Sequence, residues 1–381
     1  MINTRARGFA SPGMYVQGPG EYANFPAYTA VWGKRPFFLI DGFLFTDIKT
    51  RLSAVYQGTG FSAESFGGEC TETEIDRVAA LLRQNNADVC VAVGGGKTLD
   101  TGKSVAIRAD LPLIIAPTSA ATDAPCSAMS VLYSEEHEYL GCVFHPKHAE
   151  LVLVDTEIVA AAPLRLFKAG MGDAMSTFYE VLANEAAGGA NYVGRGYRST
   201  KAAIALARLA RDILLTDGYK AVSALENGAV TEAVENVVEA NILLGGQFEN
   251  GGSSVAHAVH GALTALPQTH RFLHGEKVAF GIVVQLLLEN RPDREIEEIV
   301  TWLAGLDLPV TLSRLDIEPS DANISYLAER ITAPNSRALV EPFCVTPQSV
   351  AAVLKAAEAV PFIFSRQKAW RSAVSRSDSG A

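Results

Sequence analysis

The chain has 381 residues, of which 42 are acidic and 32 basic, giving a formal net charge of -10. That length suits two domains of roughly 150 residues, each able to bury a core without disulfides, and the acid excess excludes a nucleic-acid binder, which needs clustered Lys and Arg. A hydrophobic share of 48% against 19% charged residues excludes a disordered chain, and no apolar run approaches the roughly eighteen residues of a membrane helix. The opening MINTRARGFASPGMYV has no apolar signal-peptide core, so a cytoplasmic location is expected.

The first part of the chain alternates strands with helices, the pattern of a parallel α/β sheet. Residues 37–40 form a short apolar run ending at Asp41 and Gly42, and residues 71–85 open on a capping threonine and continue at helical spacing. Residues 89–93 read as a buried strand, Gly94 to Gly96 as a tight turn, 97–109 as a helix and 111–116 as another buried strand, one complete βαβ unit. Residues 151–154, ending at Asp155, close the series. Pro163 sets a boundary, which gives an α/β domain over 1–163 and a second domain over 164–381. The second domain reads as all-helical, with apolar periodicity over 200–215, 230–244, 255–266, 276–288, 296–304 and 347–359. The tail after Ser365 ends in small polar residues and is expected to fray.

Cys70, Cys90, Cys126, Cys142 and Cys344 are odd in number and lack CxxC spacing, so neither a disulfide framework nor a thiolate metal cluster is expected. Cys126 alone lies near a candidate ligand loop, where a nucleophile is the alternative to an inert thiol.

GGGKTLD at 94–100 joins a buried strand to a helix, so its backbone can approach a ligand and the free helix amides attract an anion such as pyrophosphate. Taken alone, it is equally a tight turn. A second loop, PTSAATDAP at 117–125, follows the next strand and places hydroxyls and Asp123 on the same rim. Asp41 ends an earlier strand, where a carboxylate accepts from a ribose diol and repels a 2'-phosphate; the alternative is a turn residue. Four of seven histidines fall between 257 and 274. His257 and His260 lie three apart on a predicted helix and share a face, and His274 opens HGEK before the next helix. Asp173, between glycines at an expected helix start, is either an N-cap or a third ligand. Two His and one Asp leave a four-coordinate metal one open position, as in catalytic sites, where a substrate alcohol loses its proton readily and NAD accepts the hydride.

These segments resemble the glycerol dehydrogenases of the iron-containing alcohol dehydrogenase superfamily over nearly the whole chain. The resemblance rests on SPGMYVQGPG, GGGKTLDTGK at 94–103, PTSAATDAPCSAMSVLY at 117–133, AGMGDAMSTFYE at 169–180 and FENGGSSVAHAVHGALT with HGEKVAFG at 248–281. It implies an N-terminal parallel-sheet NAD-binding domain followed by a helical metal-binding domain, the dehydroquinate synthase-like fold. It further implies that Asp173, His257 and His274 hold the metal, with His260 beside it as outer partner or proton relay. Asp41, Gly94, Gly95, Gly96, Lys97, Thr98, Asp100, Thr118, Ser127, Met129 and Tyr133 would line the cofactor, and Asp123 would contact substrate. Iron-using members carry a further His one turn after the ligand aspartate; Thr177 stands there, so zinc is expected. Gly102 replaces the usual Ala and is expected to weaken its helix slightly.

The expected activity is reversible oxidation of glycerol to dihydroxyacetone by NAD and one Zn2+ per chain, in a homo-oligomer, up to an octamer, with no nucleic-acid or membrane partner. The alternatives are a related polyol or 1,2-diol dehydrogenase, a dehydroquinate-synthase-like lyase, whose phosphate-bearing substrate would find chiefly Arg271 and Lys277, and a non-catalytic NAD- or metal-binding protein.

Overall fold

The computed structural model describes residues 5–57, 60–194 and 196–360, so the polar tail lies outside the described residues. Its strands are β1 (Tyr15–Gly18), β2 (Pro36–Ile40), β3 (Ser62–Ser65), β4 (Val89–Gly94), β5 (Leu113–Pro117), β6 (Met129–Tyr133), β7 (Tyr139–Phe144) and β8 (Leu151–Asp155). Six of them form a sheet in the order β1-β8-β5-β4-β2-β3 with every pair parallel, while β6 and β7 form a separate antiparallel ribbon. Helices α1 (Phe25–Thr29), α2 (Phe45–Tyr56), α3 (Glu72–Gln84), α4 (Gly96–Ala109) and α5 (Thr156–Ala160) accompany this sheet. The rest is helical: α6 (Leu164–Ala187), α7 (Lys201–Glu226), α8 (Glu232–Glu239), α9 (Phe248–Gly251), α10 (Val255–Thr264), α11 (His274–Leu288), α12 (Asp293–Gly305), α13 (Asp321–Ile331) and α14 (Pro347–Ala357). No helix of the described residues is long and apolar enough to cross a membrane.

Side chains alternate along a strand, so each sheet face collects its own set. Phe38, Ile40, Val91, Val93 and Ile114 pack on Phe25, Ile48, Leu52 and Tyr56. Phe37, Leu39, Cys90, Ala92 and Ile115 face the other way, into a core that continues through α3 and α4 and into the helical part. Being covered on both faces is what makes β2, β4, β5 and β8 continuous apolar runs. Gly102 belongs to this packing, because a Cβ there would overlap the Cβ of Ala92 on β4. The small helix-propensity loss expected from Gly102 thus comes with closer seating of α4 on the sheet.

Asp173 is not at a helix start. It lies well inside α6, whose 24 residues run through Gly170 and Gly172. Both glycines are selected by close approach: a Cβ at Gly170 would overlap the carbonyl of Ala120, and one at Gly172 would lie 2.8 Å from the carbonyl of Gly275. The first contact seats the loop after β5 on α6, and the second crosses α6 with α11 backbone to backbone. Between α8 and α9 the chain passes through a π-helical turn, Ala240–Leu244, whose Asn241 donates through Nδ2 to the carbonyls of Ala120 (2.9 Å) and Phe167 (3.2 Å). Together these contacts lock the sheet's rim to the helical part.

Candidate active site

Because the sheet is parallel, Asp41, the glycine turn and the 117–123 loop emerge on one rim. Gly95 is the N-cap of α4 without a side-chain cap, and a Cβ there would meet nothing within 4 Å, so there is open space beside the turn that precedes the uncapped start of α4. Gly94 is held tightly instead: its carbonyl accepts from the Thr118 amide (3.1 Å), and a Cβ would collide with Thr98. Asp41 accepts from the Phe43 amide (3.0 Å) and the Thr98 hydroxyl (3.3 Å), which fixes its carboxylate beside this cradle.

The other expected cofactor residues divide into two groups. Lys97 donates to Glu69 (2.6 Å) and lies 4.7 Å from the ring centroid of Tyr133, at the edge of the glycine turn. Asp100, Ser127 and Met129 gather instead around Lys103, a buried cation the sequence reasoning missed although it lies in the quoted GGGKTLDTGK. Lys103 donates to Asp100 Oδ1 (3.0 Å), Ser127 Oγ (3.2 Å) and the carbonyls of Ala124 (2.7 Å) and Met129 (2.8 Å). Asp100 Oδ2 accepts from the Val131 amide (2.9 Å). Its hydrogen-bonding capacity is thus spent inside the protein, tying the loop and β6 to α4. Cys126 is buried, and that burial pushes its thiol far up, which removes the nucleophile alternative.

On the facing side, α6, α10 and α11 bring Asp173, His257 and His274 together, with one ligand atom from each lying within 4.8 Å of the others. Nε2 of His274 lies 3.1 Å and Nε2 of His257 3.7 Å from Asp173 Oδ1. Asp173 is 1% exposed, and among the described residues neither of its oxygens accepts a well-aligned hydrogen bond. A buried carboxylate in that condition is costly unless a cation shares the site, so the donor set fits a divalent ion. Burial works against the ionised Asp173, but the imidazoles of His274 and His257 outweigh it and hold the carboxyl below its usual range. Asp123 is moved in the opposite direction, well up, by burial and then by the Asp173 charge, and its Oδ2 is also without a hydrogen-bond partner among the described residues. It reaches the cluster because Gly245 leaves room: a Cβ there would lie 3.3 Å from the Cβ atoms of both Asp123 and Ala174.

Around these groups lies an outer set of polar contacts. His274 Nδ1 and His260 Nε2 share a hydrogen bond of 3.0 Å, Thr264 Oγ1 lies 3.4 Å from the same His260 nitrogen, and Lys277 donates to Thr264 Oγ1 (3.1 Å). Burial first, and then the neighbouring His274 and Lys277, keep His260 well below its ordinary value, which favours its neutral form. Thr177 donates to the Gly245 carbonyl (3.2 Å), which occupies its hydroxyl. Glu180, fully buried two turns after Asp173 on α6, accepts from His257 Nδ1 at 2.6 Å. Sequence reasoning missed it, although a spacing of seven residues places it on the Asp173 face of a helix.

Glu341 carries a pH prediction. Its Oε1 accepts from Ser254, its Oε2 has no hydrogen-bond partner among the described residues, and burial pushes the carboxyl from 4.5 up to about 7. The unfolded chain releases this proton above 4.5 while the folded protein keeps it until about 7, so stability falls as pH rises between those values. Glu341→Gln has no proton to lose. Its melting temperature should exceed that of the unmodified protein at pH 8, by an effect on the order of 2–3 kcal/mol, and much less so at pH 5. An equal difference at both pH values would refute the assignment.

The family model described as iron-containing alcohol dehydrogenase matches residues 12–156. A glycerol dehydrogenase of Pseudomonas putida is 42% identical over 356 residues, covering 92% of this chain and 97% of the relative. One from Thermotoga maritima is 41% identical over 350 residues, covering 91% and 95%. The chain belongs to the iron-containing alcohol dehydrogenase family. Within that family, a solved structure described as a probable glycerol dehydrogenase from Sinorhizobium meliloti 1021 superposes with a TM-score of 0.86 at 42% identity, covering 93% of this chain and 98% of that one. The fold expected from the sequence, a parallel-sheet α/β part followed by a helical part, is therefore the family fold. As a member of this alcohol dehydrogenase family, the chain brings an open glycine turn and a His-His-Asp cluster to the two sides of one rim.

Proposed function

We propose that the protein oxidises glycerol to dihydroxyacetone with NAD, reversibly, between a nucleotide-binding part over 1–163 and a metal-binding part over 164–381. The observation that carries this reading is Asp173, buried, without aligned hydrogen-bond donors and faced by two imidazole Nε2 atoms. Asp173, His257 and His274 would hold one zinc ion, which supplies Lewis acidity toward a substrate hydroxyl. Zinc rather than iron is supported by Thr177, whose hydroxyl is bound to the Gly245 carbonyl where iron-using relatives offer a further imidazole. His260, hydrogen-bonded to His274, would serve as that ligand's outer partner or, with water, carry the proton outward. Asp123, whose carboxyl burial and the neighbouring Asp173 charge push up, would orient a neighbouring substrate hydroxyl. At the cofactor end, the uncapped start of α4 would receive the pyrophosphate, and Asp41 would accept from the ribose diol, which favours NAD over NADP. The glycerol dehydrogenases among the relatives support glycerol as substrate, and a cytoplasmic homo-oligomer is what the resemblance implies.

The test is NADH formation by metal-stripped protein, with and without added zinc, on glycerol and on 1,2-propanediol, with NADP as the second cofactor. Zinc-restored turnover of glycerol with NAD, and markedly less with NADP, is the expected result. Turnover confined to the other diol would replace the substrate, and no reduced cofactor under any condition would overturn the reading.

A further inference from the structure

We propose that Glu180 is the positioning residue of the metal site, fixing both the start of α10 and the orientation of His257 with a single carboxylate. The inference rests on the metal-site reading above and adds a residue to it.

Helix α10 begins without a side-chain cap of its own, since Ser254 at the N-cap makes no such bond. The first amides of any helix need acceptors, and here they come from neighbouring helices. Glu180 Oε1, on α6, accepts from the amides of Ser254 (2.8 Å) and His257 (2.9 Å). Of the two amides between them, that of Ala256 donates to Gln285 Oε1 on α11 (3.2 Å). So α10 is anchored by the same two helices that supply Asp173 and His274. A carboxylate suits this place because the helix dipole favours negative charge at its N-terminus.

The second oxygen acts on the side chain of the same histidine. Glu180 Oε2 accepts from His257 Nδ1 at 2.6 Å, with a weaker contact from Ser176 Oγ at 3.4 Å. A carboxylate accepts only, so the imidazole proton must sit on Nδ1, which leaves the Nε2 lone pair for the ion beside Asp173. All four contacts of Glu180 are to protein donors, and none reaches the cleft, so its role is to orient and not to react. Backbone and ring of His257 are thereby pinned by one group, and the ring cannot turn without giving up a buried charged hydrogen bond.

Glutamine has the same shape but cannot satisfy this set. If its oxygen stays on the two backbone amides, its NH2 meets His257 Nδ1 and forces the imidazole proton onto Nε2. If it is flipped, its NH2 opposes two N–H donors. Glu180→Gln should therefore lower zinc affinity by roughly 10–100-fold, measured by competition with a chromogenic chelator on protein whose folding is checked by its thermal transition. Asp173→Asn, run alongside, should lose binding more completely. In the unmodified metal-free protein, the shared His257 Nδ1 proton should give a slowly exchanging downfield NMR resonance. That resonance needs no metal, and it tests the orientation even where the Gln variant does not fold.

Wild-type zinc affinity in a folded Glu180→Gln protein, or a His257 ring protonated on Nε2 and not on Nδ1 in the unmodified protein, would overturn the proposal. Failure of the unmodified protein to bind zinc would overturn the metal-site reading instead, and the downfield resonance would still decide the orientation. A role limited to capping α10 would lower the melting temperature while leaving the affinity of the folded fraction unchanged, which also counts against it.

Discussion

Asp173→Asn should yield a folded protein that zinc no longer stabilises and that no longer oxidises glycerol. Asp173 is the one carboxylate among the three candidate ligands, and at 1% exposure no solvent can stand in for its charge. Asparagine preserves the shape but directs either a neutral carbonyl or an NH2 group at the site. Loss of an outer partner of a metal ligand costs roughly 10–100-fold in affinity, so loss of the anionic ligand itself should exceed that range. In the unmodified protein, zinc at a hundredfold excess over its dissociation constant should add about 2.7 kcal/mol of stability, seen as a raised melting temperature. The variant should show almost no zinc-dependent shift. Lewis-acid catalysis is worth several kcal/mol and each 1.36 kcal/mol is tenfold in rate, so turnover should fall by roughly 10³-fold or more. NAD binding is the internal control, because Asp41 and the glycine turn are held by contacts of their own. A variant that binds zinc and turns over glycerol as before would remove Asp173 from the site.

What the sequence made legible follows from how each element is buried. Strands β2, β4, β5 and β8 are covered on both faces and read as apolar runs, whereas β1 (YVQG) and β3 (SAES) lie at the sheet's edges, half-buried, with too little apolar character to register. The β6–β7 ribbon escaped for a related reason, since Tyr139, Leu140, Val143 and Phe144 on β7 are exposed hydrophobics without a clean alternation. The imidazoles were legible as a cluster because histidine is scarce in this chain, with 7 in 381 residues. The place of Asp173 within its helix was not. Gly170 and Gly172 carry the local signature of a loop, and only the carbonyls of Ala120 and Gly275 show why a helix needs them there. Glu180 was hidden by the opposite signal: a glutamate in mid-helix reads as a solvated face, and its burial becomes visible only once α10 lies against it.

Gly275→Ala should damage stability and metal binding together, because Gly275 follows His274 at the point where α11 crosses α6. A Cβ at 275 would overlap the backbone of Ala169, and the Gly275 carbonyl already leaves no room for a Cβ at Gly172, the residue before Asp173. Both sides of the contact are backbone inside buried helices, so no side chain can rotate away and the helices themselves must separate. Overpacking of this kind costs roughly 1–3 kcal/mol and sometimes more, which lowers the melting temperature of the metal-free protein. The same displacement moves His274 relative to Asp173, and a preorganised site tolerates only about 0.5 Å. Zinc affinity should therefore fall although every ligand is still present. Gly261→Ala separates this effect from helix propensity. Gly261 lies on α10 with nothing within 4 Å of its Cβ position, so the added methyl should stabilise the helix by about 1 kcal/mol and leave zinc affinity unchanged. If Gly275→Ala melted like the unmodified protein and bound zinc equally well, the α6–α11 crossing would have no part in setting the distance between the two candidate ligands.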